Sequence, residues 1–234
     1  MSTKSNINPS SINPSSINPE LIPIRKDTEM VRKEILTNLI KMFIERKLIS
    51  KDNFERNLKK IDKPSDTDSY ELSFDKEIQP DSTDEKYKQK FDGKTLRIKI
   101  IHQKVLGIAK SPVIKEFLDS NTFNHKIFIF DGISDKAKST LMTIPNTEVF
   151  IESFLMINIV EHIDSPRYEL LTEDETKQVL ETYIVKKKEL PKILTSDPIV
   201  SYFNLKRGQI IRIIRCSEQS GFSVIYRIVA KGGS

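Results

Sequence analysis

The chain reads as an α+β protein of two domains, an N-terminal α/β layer and a smaller C-terminal α+β unit built on a β-hairpin. Three observations predict this class. Apolar residues recur at helical spacing over residues 31–43, then alternate as a strand at 95–101 and form a short apolar run at 127–130. Helix start signals (Ser111-Pro112, then Ser134) follow those strands in turn, which is the pattern of parallel strands joined by right-handed crossovers. The last forty residues hold two segments rich in Ile, Val, Phe and Tyr around Gly221, which is a hairpin signal.

Residues 5–19 repeat SNINP, SSINP, SSINP. Proline at every fifth position prevents a helix, and the apolar content is too low to pack, so residues 1–24 are expected to be a disordered tail. Asp27 or Thr28 is placed to cap a helix reaching Arg46, with Val31, Ile35, Leu39, Met42 and Phe43 on one face. Leu48-Ile49-Ser50 turns the chain into a second helix carrying Phe54, Leu58 and Ile61. Residues 62–92 hold twice as many acids as lysines, and a strand is expected only where Tyr70, Leu72 and Phe74 alternate with polar residues. The rest of that stretch reads as a mobile acidic loop. Thr95–Ile101 follows as a strand, Val113–Ser120 as a helix, and Ile127–Phe130 as a central strand ended by Asp131-Gly132. A further helix covers Ser134–Met142.

Ile144-Pro145-Asn146-Thr147 reads as a linker, which divides the chain into a first domain at 25–147 and a second at 148–234. Glu148–Phe154 is expected as a short helix or extended piece, and Leu155–Val160 as an apolar strand. Thr172 and Glu175 form a capping-box signature for a helix to Tyr183, with Val179, Leu180 and Tyr183 buried. A strand then precedes a helix capped by Asp197 and opened by Pro198. Lys206-Arg207-Gly208 turns into the hairpin.

Composition excludes several chemistries. One cysteine, Cys216, forbids an internal disulfide and a cysteine zinc cluster, and it suits a reducing compartment. His102, His125 and His162 lack the spacing of a metal site, and no phosphate loop, dinucleotide turn or nucleophile elbow is present. No cofactor, metal or catalytic residue is therefore expected. A metal-dependent nuclease would need paired carboxylates on the sheet, and Asp131 stands alone there. The net charge of +5 fits an acidic partner. No apolar run is long enough for a membrane span.

Within Leu190–Val229 the residues carry a long pattern. Leu190-Pro191, Ile193, Asp197-Pro198, Tyr202, Leu205 to Gly208, Ile213 to Arg215, Ser217-Glu218, Gly221 and Tyr226-Arg227 resemble the C-terminal assembly domain of the RNA polymerase subunit 5 family, which has archaeal as well as eukaryotic members. Upstream, His162 and Pro166 match a further family motif, with Tyr168 in place of its second histidine. The first domain is similar to the family's eukaryotic N-terminal jaw, whose α/β fold is restriction-endonuclease-like without the nuclease residues. Ser134-Asp135-Lys136-Ala137 stands where that jaw has a motif near downstream DNA.

The resemblance implies a non-catalytic subunit of a DNA-directed RNA polymerase, docked on the largest subunit and placing the jaw beside downstream duplex DNA. It implies an assembly surface of Asp197, Pro198, Tyr202, Lys206, Arg207, Gly208, Arg212, Arg215, Ser217, Glu218, Gly221, Tyr226 and Arg227. Ser134, Lys136 and Lys138 are the DNA-proximal residues. The arginines face either partner acceptors or the complex's own acids. The compartment implied is the nucleus of a eukaryote, or host cytoplasm and virion for a large DNA virus. The alternative is a free-standing basic nucleic-acid-binding protein.

Overall fold

The computed structural model describes residues 28–61, 69–76, 95–108, 111–217 and 221–232. The repeat tail, the cap offered by Asp27, most of the acidic stretch and the last two residues lie outside them. Two mixed four-stranded sheets form the α+β framework, ordered β1-β2-β3-β4 and β5-β7-β8-β6.

In the first sheet β1 (Ser69–Asp75) is antiparallel to β2 (Thr95–Val105), which runs parallel to β3 (His125–Ile133). That strand in turn runs parallel to β4 (Thr147–Ile151). Three helices of this half are α1 (Thr28–Glu45), α2 (Phe54–Ile61) and α3 (Pro112–Ser120). The β3–β4 connection contains α4 (Asp135–Met142). The central strand is apolar because both its faces are covered. Ile127 and Ile129 join the core under α1, whereas Phe128 and Phe130 pack with Ile114, Phe117 and Leu141. Asp131-Gly132 does not end β3. After a register shift between Ile101 and Lys104, β2 continues and pairs Lys104 with Gly132 and Val105 with Ile133.

Local chemistry sets the element ends. Ser50 accepts a hydrogen bond from the Asp52 amide to open a 3₁₀ turn before α2. Ser111 sits at the α3 N-cap but makes no capping bond through its side chain; Pro112 opens the helix. Beyond α3, the buried Lys126 ammonium donates to the carbonyls of Asn121, Thr122 and Asn124, each at 3.2 Å. Those carbonyls are where a cation is favoured after a helix C-terminus.

The expected division at residue 147 falls at the first residue of β4, so the first sheet extends to Ile151. Leu155–Val160 forms no strand. After α5 (Glu152–Leu155) the chain bends, Leu155 is buried, and the Asn158 carboxamide accepts from the Val160 amide. The strand lies further on, at β5 (Arg167–Leu170). In α6 (Glu173–Thr182) the Thr172–Glu175 capping box is reciprocal, with bonds of 2.7 and 3.1 Å. Val179 is buried, but Tyr183 is 58% exposed and leans on Tyr226.

β6 (Lys192–Leu194) runs parallel to β8 (Gly221–Ala230), and β7 (Ile210–Ser217) is antiparallel to both β5 and β8. Between β6 and β7, Asp197 caps α7 (Pro198–Tyr202) by accepting from the Ile199 amide. One apolar cluster joins the halves: Leu39, Met42 and Phe43 of α1 share it with Val200, Tyr202, Ile211, Ile213 and Val229.

A buried polar network crosses the same junction. Arg46, 1% exposed, donates to both carboxylate oxygens of Glu148 at 2.9 and 3.0 Å and to the Tyr202 and Ser201 carbonyls at 2.5 and 3.0 Å. His125 Nε2 and Asn204 Nδ2 reach the same carboxylate at 2.6 and 3.2 Å. Burial favours a neutral carboxyl, but Arg46 and His125 outweigh it and hold Glu148 well below the usual carboxylate range. Burial in turn lowers the His125 pKa. The other two histidines lie apart: His102 pairs with Glu152 at 2.5 Å, and His162 is exposed.

Candidate docking surface

The hairpin has two faces because side chains alternate along a strand and cross-strand neighbours share a side. The pairs Ile211–Arg227, Ile213–Ile225 and Arg215–Ser223 define one face, and Ile210–Ile228, Arg212–Tyr226, Ile214–Val224 and Cys216–Phe222 define the other. The first packs on the junction core through Ile211 and Ile213. The second packs on α6 only at its base, where Ile210 and Ile228 meet Leu171 and Val179. Toward the tip that cover ends. Phe222 is left 70% exposed and Val224 47% exposed.

Most of the residues expected to form the assembly surface lie in or beside this hairpin, but they do different jobs. Arg215 is exposed at the tip, and Arg207 is exposed in the turn before β7. Lys206 is also exposed; its ammonium meets Asn204 Oδ1 at 2.7 Å and its amide donates to Gln209. Arg212 is half-buried, held by Glu169 at 3.1 Å, with its guanidinium over the Tyr226 ring. Arg227 is half-buried, and its Nε meets no hydrogen-bond partner among the described residues.

Several expected contacts are internal. Tyr202 is only 3% exposed, and burial pushes its pKa upward; its ring is core. Asp197 and Pro198 shape the start of α7. Gly208 and Gly221 hold the positive φ angles of +87° and +74° that their turns require. Ser217 pairs with Gly221 through its backbone, and Glu218 lies outside the described residues. Tyr168, standing where the resemblance puts a histidine, is half-buried near Asp197, Arg215 and Arg227. Burial raises its pKa first, Asp197 adds to that, and the two arginines oppose it.

Phe222, Val224 and Glu169 do not stand out by residue type. The alternation Phe222, Val224, Tyr226 is the available signal, because it extends one apolar stripe beyond the length that α6 can cover.

Ser134, Lys136 and Lys138 come together at the start of α4. The Ser134 hydroxyl accepts from the Ala137 amide at 3.2 Å and donates to the Leu106 carbonyl at 2.9 Å, so its proton is committed within the chain. Lys136 is exposed and Lys138 half-buried. Asp135 occupies the first turn, where an acid suits the helix dipole. No described helix is long and apolar enough to cross a membrane.

Residues 157–229, which hold all of the second sheet but Ala230, match the family described as RNA polymerase Rpb5, C-terminal domain. The chain is 36% identical over 138 residues to DNA-directed RNA polymerase subunit 5 of Acanthamoeba polyphaga mimivirus, covering 59% of this chain and 67% of that protein. It is 33% identical over 120 residues to the DNA-directed RNA polymerases I, II, and III subunit RPABC1 of Caenorhabditis elegans, covering 50% of this chain and 57% of that protein. The Caenorhabditis briggsae protein of the same name matches to the same extent. These likenesses, the family match over the C-terminal part and the viral relative over most of its length, show that the chain belongs to the RNA polymerase Rpb5 family.

Proposed function

We propose that this chain is a non-catalytic subunit of a DNA-directed RNA polymerase that docks on the largest subunit through the hairpin sheet. In this reading the first sheet and its helices form a restriction-endonuclease-like jaw beside downstream duplex DNA. The observation that carries the reading is the uncovered tip of the hairpin. Phe222 and Val224 present apolar surface on one face of the tip, and Arg215 on the opposite face exposes a guanidinium fork that suits carboxylates and carbonyls. An exposed apolar anchor is what a protein interface uses. A duplex-binding surface would instead need several free cations in register.

The DNA side is assigned to the start of α4. Lys136 and Lys138 supply the charge there, and Ser134 holds the helix end in place. Few cations gather at that point, so the isolated chain is expected to bind duplex weakly and with a shallow salt dependence. The compartment follows the polymerase: the nucleus for a cellular eukaryote, host cytoplasm and virion for a large DNA virus.

Arg215→Glu tests the docking. The side chain is exposed, so the variant should fold with an unchanged unfolding midpoint and yet be lost from the polymerase purified through its largest subunit. Recovery equal to the parent chain would remove Arg215 from the interface.

A further inference from the structure

Both sheets have open edges, and one of them borders a cleft. A cavity of about 590 Å³ runs beside β5 and is also lined by Glu45 at the end of α1, by Lys47 just past it and by Phe203. Consecutive residues from Ser165 to Leu171 all line it. Neighbours on a strand point to opposite faces, so a cavity touching every one of them lies along the strand's edge rather than over one face.

The backbone at that edge has a definite polarity. In the antiparallel pairing of β5 with β7, Leu171 sits opposite Ile210, and its amide donates inward to the Ile210 carbonyl at 3.1 Å. Antiparallel ladders alternate, so Glu169 and Arg167 also bond inward, while Tyr168 and Leu170 turn their N–H and C=O groups outward. Neither residue has a backbone hydrogen bond to another strand on that outer side among the described residues. The chemical complement of such an edge is another extended chain.

The two sides of the cleft differ in character. Tyr168, Leu170 and Phe203 share the face that packs on the junction core, with Val160 beside them. Arg167, Glu169 and Arg212 occupy the other face, where Glu169 pairs with both arginines at 2.9 and 3.1 Å. A strand added here needs apolar side chains at alternate positions and polar ones between them. We propose that the open edge of β5 receives an amphipathic strand from another polymerase subunit, extending the second sheet from four strands to five. This rests on the docking reading above and adds a second contact, distinct from the hairpin tip.

Hydrogen exchange resolved to single amides, on the full chain alone and within the purified polymerase, tests it. The outward amides of Tyr168 and Leu170 are expected to exchange quickly in the free chain and to slow by at least ~100-fold in the complex. If the hairpin amides become protected while Tyr168 and Leu170 stay fast, the docking reading stands and the strand addition is wrong. If the chain is absent from the polymerase, both fail. Slow exchange of the two amides in the free chain would also overturn the proposal. Dilution, or removal of residues 1–27, would then tell a second copy from this chain's own N-terminal segment.

Leu170→Pro gives a second readout. It deletes an outward N–H without touching the β7 ladder. Affinity for polymerase lacking this subunit should fall about tenfold, the equivalent of one or two hydrogen bonds, while the unfolding midpoint confirms that the variant is folded. Unchanged affinity in a folded variant contradicts the proposal, and the exchange measurement decides alone if the variant unfolds.

Discussion

An ionised carboxylate with 8% side-chain exposure is tolerable only where partners replace its water, and Glu148 has Arg46, His125 and Asn204. Removing one member of such a set leaves the others buried without compensation. Glu148→Gln should therefore cost about 3–5 kcal/mol of unfolding free energy, read from urea midpoints. A loss below about 1 kcal/mol would show that the network relaxes or admits water.

The pH dependence has a definite sign. Glu148 is held below its ordinary value of 4.5, so the unfolded chain takes up the proton first. That contribution to stability is complete above about pH 4.5 and is lost as the pH falls toward the folded-state value. His125 is lowered from 6.5 by burial, so its share is complete above pH 6.5 and declines below it. Urea midpoints from pH 8 to pH 3 should fall in those two stages, and Glu148→Gln should flatten the lower one. A midpoint independent of pH across the range would contradict this assignment.

At the scale of the element, Gly208 controls entry to the hairpin. Its φ of +87° lies where an L-residue is strained, and nothing stands within 4 Å of where its Cβ would be. Gly208→Ala should thus cost about 1–2 kcal/mol from the backbone alone, measured as a drop in melting temperature. No change would mean that the turn has a second conformation available to it.

Local signals explain which elements are legible in the sequence. The Thr172–Glu175 box, the Asp197 cap and the Ile/Val/Phe/Tyr hairpin are each written within a few neighbouring residues, and each forms as expected. Elements decided by distant partners are not legible. Arg167–Leu170 looks too charged for a strand until Arg212 on β7 neutralises Glu169. Leu155–Val160 looks like a strand because an apolar run does not reveal whether it will pair or simply insert Leu155 into the core.

The candidate surface divides in the same way. Its arginines stand out by type. The internal place of Tyr202 and the exposure of Phe222 depend on α1 covering one face and α6 stopping short on the other.

At the scale of the whole molecule, α1 and the Arg46–Glu148 network join the two sheets. The hairpin belongs to the second sheet, and the lysines of α4 belong to the half built on the first. The shared core makes that connection close-packed, so the two halves are held together by more than the chain between them. The central claim is membership in the polymerase assembly, and the most direct test is to purify the polymerase through its largest subunit from the source that encodes this chain. The expected result is this chain in one-to-one ratio with the largest subunit, retained through a high-salt wash. An active polymerase complete without it, with the chain present only in the unbound fraction, would contradict that claim.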